Sequence, residues 1–153
     1  MRKAIVIIIP ILLLFTQTAC KKSGDKAADS NKKEGLSRRE QIKFKQYMTE
    51  GRRLYIANCA NCHQKDGKGL ARLIPPLAES DYMAKNVERT ICIIKNGLEG
   101  EILVNGISYN QPMPAHTNLT NIEIAEIVTY IHNSWGSFNG IVDVKDVEKT
   151  TCD

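Results

Sequence analysis

Cys59, Cys62 and His63 form the motif whose residue types and spacing most directly indicate chemistry, and they occur as Cys-Ala-Asn-Cys-His. Two thiols at this spacing lie about one helical turn apart, so each can add to a vinyl group on one edge of a haem. The imidazole that follows is then carried beneath the iron. The motif predicts one covalently bound haem c, with His63 as an iron ligand.

Three other kinds of site use similarly spaced cysteines. A thioredoxin-like redox pair needs a surrounding strand–helix pattern, which this sequence lacks. A zinc site needs a second pair of ligands, and no other Cys or His residues are paired in that way. A disulfide across two residues would leave His63 without a role. The haem interpretation uses all three side chains, and we favour it.

A second axial ligand decides what such a haem can do. Met113 lies between two prolines in a loop, where restricted backbone dihedrals suit holding a weak, soft thioether in place. We predict Met113 as the ligand. His116 is the main alternative because imidazole binds iron more tightly than a thioether does. Met83 and Met48, which fall within predicted helices, come next.

The flanking residues resemble those of small class I c-type cytochromes, in which histidine and methionine ligate the haem iron. Gly51 and Tyr55 stand eight and four residues before Cys59, as the glycine and the aromatic residue of the family's N-terminal helix do. Ile127 and Tyr130 match the pair that meets them from the C-terminal helix. The resemblance covers nearly all of residues 44–135.

This resemblance implies an all-α fold with helices packed around one covalent haem. It also implies a role for Pro75, twelve residues after His63, whose carbonyl would accept the imidazole N–H and fix the ring. The separation of fifty residues between His63 and Met113 is similar to that in the family.

Helical patterns surround the motif on both sides. One apolar stripe runs along residues 44–55 around a mid-helix glycine. A second helix is predicted from Asp81 to Lys95, with Ser80 as its N-cap and Asn96-Gly97 as its stop. The last main helix begins at Thr120 with a capping box completed by Glu123 and ends near Trp135-Gly136. Its core face contains Ile124, Ile127, Val128 and Ile131.

Residues 101–109 interrupt the helical pattern. An Asn-Gly turn at 105–106 separates two short β-prone arms, which predicts a small hairpin. We expect this hairpin to be an insertion that frames the Met113 loop. On the helix that follows, His132 is predicted to be an exposed or partly packed residue rather than a ligand.

The N-terminus has the pattern of an export signal. Arg2 and Lys3 precede twelve mostly apolar residues, which are too few to span a bilayer as a helix, so residues 1–19 are predicted to be a signal peptide. Cys20 resembles a bacterial lipoprotein acylation site, although Gln17 stands where that family prefers leucine. We expect a protein tethered to the membrane on its periplasmic side, with a soluble periplasmic form as the alternative.

Composition divides the rest of the chain. Residues 20–37 hold almost nothing apolar and are predicted to be a flexible tether. The 153 residues leave room for one domain, at 38–136, with a C-terminal tail at 137–153 packed on it. That tail contains a short helical pattern at 142–151. A formal net charge of +4 is too mild to indicate a nucleic-acid partner.

Two cysteines have no role in these assignments. Cys92 and Cys152 would lie in an oxidising compartment, where free thiols are uncommon, and we predict that they form a disulfide. The alternative is a buried thiol at one position and a loose terminal thiol at the other, which could link two molecules.

The predicted function is electron transfer. With both axial positions of the iron filled by protein, no small-molecule substrate reaches it without displacing Met113, so we expect a carrier between larger redox proteins and not an enzyme. One alternative is a dedicated haem subunit of a respiratory or dehydrogenase complex. Another is a haem enzyme or sensor, such as a peroxidase. The ninety residues after His63 count against a haem enzyme or sensor, because small five-coordinate c-type bundles usually carry their motif near the C-terminus.

Overall fold

A computed structural model describes residues 35–84 and 86–152 of the chain. The predicted signal peptide, the acylation site at Cys20 and nearly all of the predicted tether lie outside these residues. Among the helices of the described ranges, none is both long enough and apolar enough to cross a membrane.

Helices dominate the regular structure of the described chain, which also contains one small antiparallel hairpin, and this confirms the predicted architecture. In chain order the elements are α1 (Arg38–Asn58), α2 (Ala60–His63), α3 (Asp81–Ala84), α4 (Val87–Asn96), β1 (Ile102–Val104), β2 (Ile107–Tyr109), α5 (Asn121–His132) and α6 (Val144–Lys149). The longest helix, α1, begins at a capping box. The Ser37 side chain accepts from the Glu40 amide, and the Glu40 carboxylate accepts from the Ser37 amide. Sequence analysis missed this box.

The core lies where α1 crosses α5. A Cβ added at Gly51 would lie 2.1 Å from the backbone oxygen of Glu126 and 2.8 Å from the Cβ of Tyr130, so the helices touch backbone to backbone. Beside this point the rings of Tyr55 and Tyr130 lie 5.4 Å apart, and Ile127 is fully buried. The predicted contacts of Gly51 and Tyr55 with Tyr130 are therefore confirmed, and Ile127 is buried in the same core.

The prediction of a single helix from Asp81 to Lys95 is wrong, because the chain forms two helices there. Asn86 starts α4, and its side chain accepts a hydrogen bond from the Arg89 amide at 2.8 Å. The Arg89 guanidinium stacks over the Tyr82 ring at 3.9 Å and so holds α3 against α4. The predicted cap is present, since the Ser80 hydroxyl accepts from the Met83 amide at 3.3 Å.

The hairpin forms around the predicted turn. Val104 pairs with Ile107, and Asn105 and Gly106 both have positive φ. The turn is fixed to α3, because the Asp81 carboxylate accepts from the Asn105 amide at 2.8 Å and the Asn105 side chain accepts from the Asp81 amide at 3.0 Å. The hairpin thus packs against the domain through specific polar contacts.

Helix α5 ends at His132, slightly before the predicted stop. The side chain of His132 is buried, which corrects the prediction that it is exposed or partly packed. Its Nε2 lies 3.2 Å from the Thr90 hydroxyl, so it links α5 to α4. Burial lowers the pKa of His132 and favours the neutral ring.

The C-terminal tail packs on the domain through α6. This helix is shorter than the 142–151 pattern predicts, because Asp143 caps it. Val147 is fully buried, and Lys95 donates from Nζ to its carbonyl at 2.8 Å. Cys92 and Cys152 are joined as a disulfide, with Cα atoms 5.4 Å apart.

The α1–α5 crossing predicts the effect of Gly51→Ala. Alanine favours a helix by about 1 kcal/mol over glycine. Its methyl group would overlap the backbone of α5, and overpacking costs about 1–3 kcal/mol. We expect a net loss in the free energy of unfolding, measured by denaturant titration of the holoprotein. Gly35→Ala is the control, because its Cβ would meet nothing within 4 Å. A neutral or stabilising Gly51→Ala would contradict this packing.

The tail predicts the effect of removing its covalent link. A bridge over a sequence separation of 60 residues contributes about 4 kcal/mol in the chain-entropy model, which the double variant Cys92→Ser/Cys152→Ser should largely lose. We also expect α6 to become the first site of proteolysis. Mass spectrometry of unreduced holoprotein checks the link directly, since a thiol-alkylating reagent that labelled both cysteines would rule it out.

Candidate functional site

An apolar cavity of about 100 Å³ opens between α2, α4 and the 113–116 loop. It contains the motif residues Cys59, Cys62 and His63 at one side, and Met113 also lines it. The apolar part of its wall contains Leu77, Ile93, Ile94, Pro114 and Ile131. Residues that are fifty positions apart in the sequence therefore face one apolar space.

The two motif cysteines lie where α1 gives way to α2. Cys59 is the C-cap of α1, and its amide donates to the Tyr55 carbonyl at 2.8 Å. Burial raises the pKa of the Cys59 thiol to about 12. Cys62 is exposed, and both cysteines are free thiols in the structure. The pair thus forms one edge of the cavity, with one sulfur inside and the other near solvent.

His63 is oriented by the loop that follows it. Its Nδ1 lies 3.1 Å from the Pro75 carbonyl oxygen, which leaves Nε2 free. Burial lowers the pKa of His63, although the hydrogen bond to Pro75 acts in the opposite direction. A neutral ring with one nitrogen committed and the other free is the form in which histidine binds a metal.

Met113 is held through its backbone. Its amide and carbonyl both bond to Leu98, each at 2.9 Å, and this bridge closes the base of the segment that contains the hairpin. Gly97 has φ +80°, and a Cβ there would lie 2.6 Å from the Met113 carbonyl oxygen. The sequence indicated Gly97 only as a helix stop, so its contact with Met113 was not predicted.

The alternative ligands differ in where they lie. His116 and Met83 also line the cavity, whereas Met48 packs against the core outside it. The Met83 sulfur lies 4.0 Å from the Thr90 hydroxyl. The His116 amide donates to the Ile94 carbonyl at 2.9 Å. The structure therefore brings together the first choice and two of the three alternatives.

Sequence reasoning missed an aromatic support for the motif. The Trp135 ring lies 5.7 Å from Tyr55 and 5.9 Å from Tyr130, and it leaves no room for a side chain at Gly67. The Tyr55 hydroxyl donates to the Gln64 carbonyl at 2.6 Å. These contacts fix the segment that follows His63, at Gln64 and Gly67. The only signal in the sequence was the position of Trp135 just after the last helix.

The donor set fits a covalent haem. Two free thiols stand at one edge of the cavity, one imidazole has its second nitrogen free, and a thioether lines the same apolar space. A rival zinc site is not supported, because within residues 35–84 and 86–152 no three His, Cys, Asp or Glu side chains cluster as metal ligands would.

Comparisons with known proteins agree with this chemistry. The cytochrome c family model matches residues 48–135. Cytochrome c-552 of Thermus thermophilus is 37% identical over 91 residues, which are 57% of this chain and 69% of that protein. The cytochrome c subunit of a quinone-type alcohol dehydrogenase from Gluconacetobacter polyoxogenes is 33% identical over 99 residues, 62% of this chain but 21% of that subunit.

A further relative is the cytochrome c subunit of gluconate 2-dehydrogenase from Pantoea cypripedii. It is 34% identical over 101 residues, which are 63% of this chain and 23% of that subunit. The family match spans more than half of the chain and contains Cys59, Cys62 and His63. The chain thus belongs to the cytochrome c family, has its helical fold with a small hairpin, and binds covalent haem c.

Proposed function

We propose that this chain is a one-electron carrier whose haem iron is ligated by His63 and Met113. The observation that carries the proposal is that both residues line one apolar cavity, with the His63 imidazole and the Met113 main chain each held by a backbone partner. Pro75 orients His63, and Leu98 holds Met113.

Met113 is favoured over the other candidates by its contacts. The Met83 sulfur lies 4.0 Å from the Thr90 hydroxyl, which donates to the Asn86 carbonyl at 3.1 Å, so Met83 packs where α3 meets α4. Both backbone hydrogen bonds of Met113 go to Leu98, in a bridge that fixes its main chain, whereas the two of His116 go to different residues, Ile94 and Leu119. A thioether binds iron weakly, so its binding depends most on the fold holding it in position in advance. These differences support the His/Met pair.

The chain's residues would set the properties of the iron. When bound, the haem supplies an iron that alternates between ferric and ferrous. The Pro75 carbonyl makes the His63 ring a stronger base, and the apolar wall excludes water. A methionine ligand raises the reduction potential relative to a second histidine. The protein thereby favours reversible uptake of one electron over binding of a substrate.

We further propose that the carrier is exported and tethered through Cys20 on the periplasmic side of the membrane. The export signal at 1–19 and the acylation pattern support this location. Covalent attachment of haem outside the cytoplasmic membrane agrees with it.

A basic loop beside the haem motif is proposed as the partner-facing surface. Lys65, Lys68 and Arg72 are all exposed there, whereas residues 96–153 contain two lysines against eight acidic side chains. Such a charge asymmetry raises the rate of association with a partner more than it raises the affinity. The donor and acceptor would be other redox proteins.

A second candidate function is that of a dedicated haem subunit in a dehydrogenase complex. The observation that favours it is the similarity to the cytochrome c subunits of two dehydrogenases. Gel filtration of the holoprotein from gently solubilised membranes separates the two functions. A free carrier elutes alone, and a subunit elutes with a dehydrogenase activity.

The proposed ligation predicts that Met113→Ala keeps its covalent haem, because the thioethers do not depend on the sixth ligand. It should lose the weak red absorption band of a sulfur–ferric iron bond, bind exogenous ligands and have a lower reduction potential. Met83→Ala is the control and should keep the band. A Met113→Ala variant that retained the band would transfer the assignment to Met83. His63→Ala should be worse, since it should impair maturation itself.

The contact at Gly97 predicts a second variant. Gly97→Ala would push a methyl group into the Met113 backbone, so its sulfur–iron band should weaken and carbon monoxide should bind the ferrous form faster. Gly100→Ala is a matched control because Gly100 also has a positive φ, but its Cβ would meet nothing within 4 Å. Equal spectra for the two variants would show that the close contact at Gly97 does not position Met113.

The basic loop predicts a salt effect. Oxidation of the ferrous holoprotein by the hexacyanoferrate(III) anion should slow on the order of ten-fold as ionic strength rises. Lys68→Gln/Arg72→Gln should flatten this dependence. Lys145→Gln/Lys149→Gln, which removes the same charge from α6, should leave it unchanged. A rate that does not vary across the wild-type salt titration would remove the steering role and leave the carrier function intact.

A further inference from the structure

The outward face of α1 is basic from Arg38 to Arg53. All residues of this face are exposed, and we name it the α1 stripe: Arg38, Arg39, Ile42, Lys45, Gln46, Thr49, Arg52, Arg53 and Ile56. At 100° per residue they fall within an arc of about 140°. The stripe holds five cationic side chains and no acidic one, and it lies opposite the buried residues Tyr47, Gly51 and Leu54.

The charges of the α1 stripe are largely uncompensated. Arg53 contacts Glu50 at 2.8 Å, whereas the other four cations make no ion pair with any residue in 35–84 or 86–152. Ile42 and Ile56 are exposed by 52% and 36% within the stripe. A row of largely unpaired cations on an exposed helix face is attracted to the negative surface of a membrane that contains anionic lipids.

We propose that the α1 stripe binds the surface of a membrane that contains anionic phospholipids. The cations extend from Arg38 to Arg53, about 22 Å along the helix axis, so the face suits an extended negative surface rather than a compact acidic site. Each Lys or Arg near such a surface strengthens partitioning by roughly five-fold. Ile42 and Ile56 would enter the boundary between headgroups and acyl chains.

The position of α1 in the sequence favours a membrane over an acidic protein. Arg38 stands eighteen residues after Cys20, the proposed acylation site. Even fully extended, this segment reaches roughly 60 Å, so an anchored chain would keep α1 near the bilayer. The stripe shares no residue with the cavity or with the 64–74 loop. The inference therefore goes beyond electron transfer and does not depend on the proposed axial ligands.

Amine-reactive footprinting of wild-type holoprotein tests the proposal. The protein is mixed with vesicles of phosphatidylcholine alone, or of phosphatidylcholine and phosphatidylglycerol in equal parts. We expect Lys45 to be labelled several-fold more slowly with the mixed vesicles, and high salt to remove the difference. Lys68 lies off the stripe and serves as the control within the same molecule. Equal labelling of Lys45 with both kinds of vesicle would overturn the proposal.

Charge-reversal variants distinguish the effect of the α1 stripe from the effect of net charge. Arg38→Glu/Arg52→Glu should abolish the protection of Lys45, whereas Lys68→Glu/Arg72→Glu, with the same change in net charge, should retain it. Loss of protection in both variants would overturn the assignment to α1. Protection by an acidic protein but not by mixed vesicles would overturn it in favour of a protein partner. The haem spectrum is recorded in parallel, so a failed electron-carrier assignment is distinguished from a failed membrane contact.

Discussion

Helices α1 and α5 cross with so little separation that the residue at the crossing can have no side chain. A Cβ at Gly51 would come within 2.1 Å of the backbone of α5. This contact fixes α1 against α5, and Cys59 caps the C-terminal end of α1. Cys59 and Ile131 of α5 both line the cavity. The edge of the haem cavity and its apolar lining thus both depend on one backbone-to-backbone contact, which the Tyr55, Tyr130 and Trp135 rings surround.

The two sides of the cavity are built by different means. On the side of Cys59, Cys62 and His63, the motif supplies its own geometry within five residues, and a single carbonyl from Pro75 orients the imidazole. On the other side, Met113 has no local helix to position it. Its bridge to Leu98 and the close approach of Gly97 hold it instead. The haem motif is local in sequence, whereas the proposed methionine ligand is positioned by tertiary contacts.

This difference explains how much could be predicted from the sequence. The helix stripe around Gly51, the capping box at Thr120 and the Asn-Gly hairpin were predictable because each is a short-range pattern. The break at Asn86 was not, because the apolar pattern runs through it and only a side-chain cap starts the second helix. The contact between Gly97 and Met113 joins residues sixteen positions apart, and no periodicity shows it. The burial of His132 likewise depends on Thr90, a partner on another helix.

The absorption spectrum of the purified holoprotein in both oxidation states, with and without carbon monoxide, tests the central claim most directly. The proposed His/Met ligation predicts low-spin spectra in both states, a weak red sulfur–iron band in the ferric form, and no rapid binding of carbon monoxide to the ferrous form. Rapid binding of carbon monoxide would mean that the sixth position is open, and it would contradict the assignment of this chain as an electron carrier.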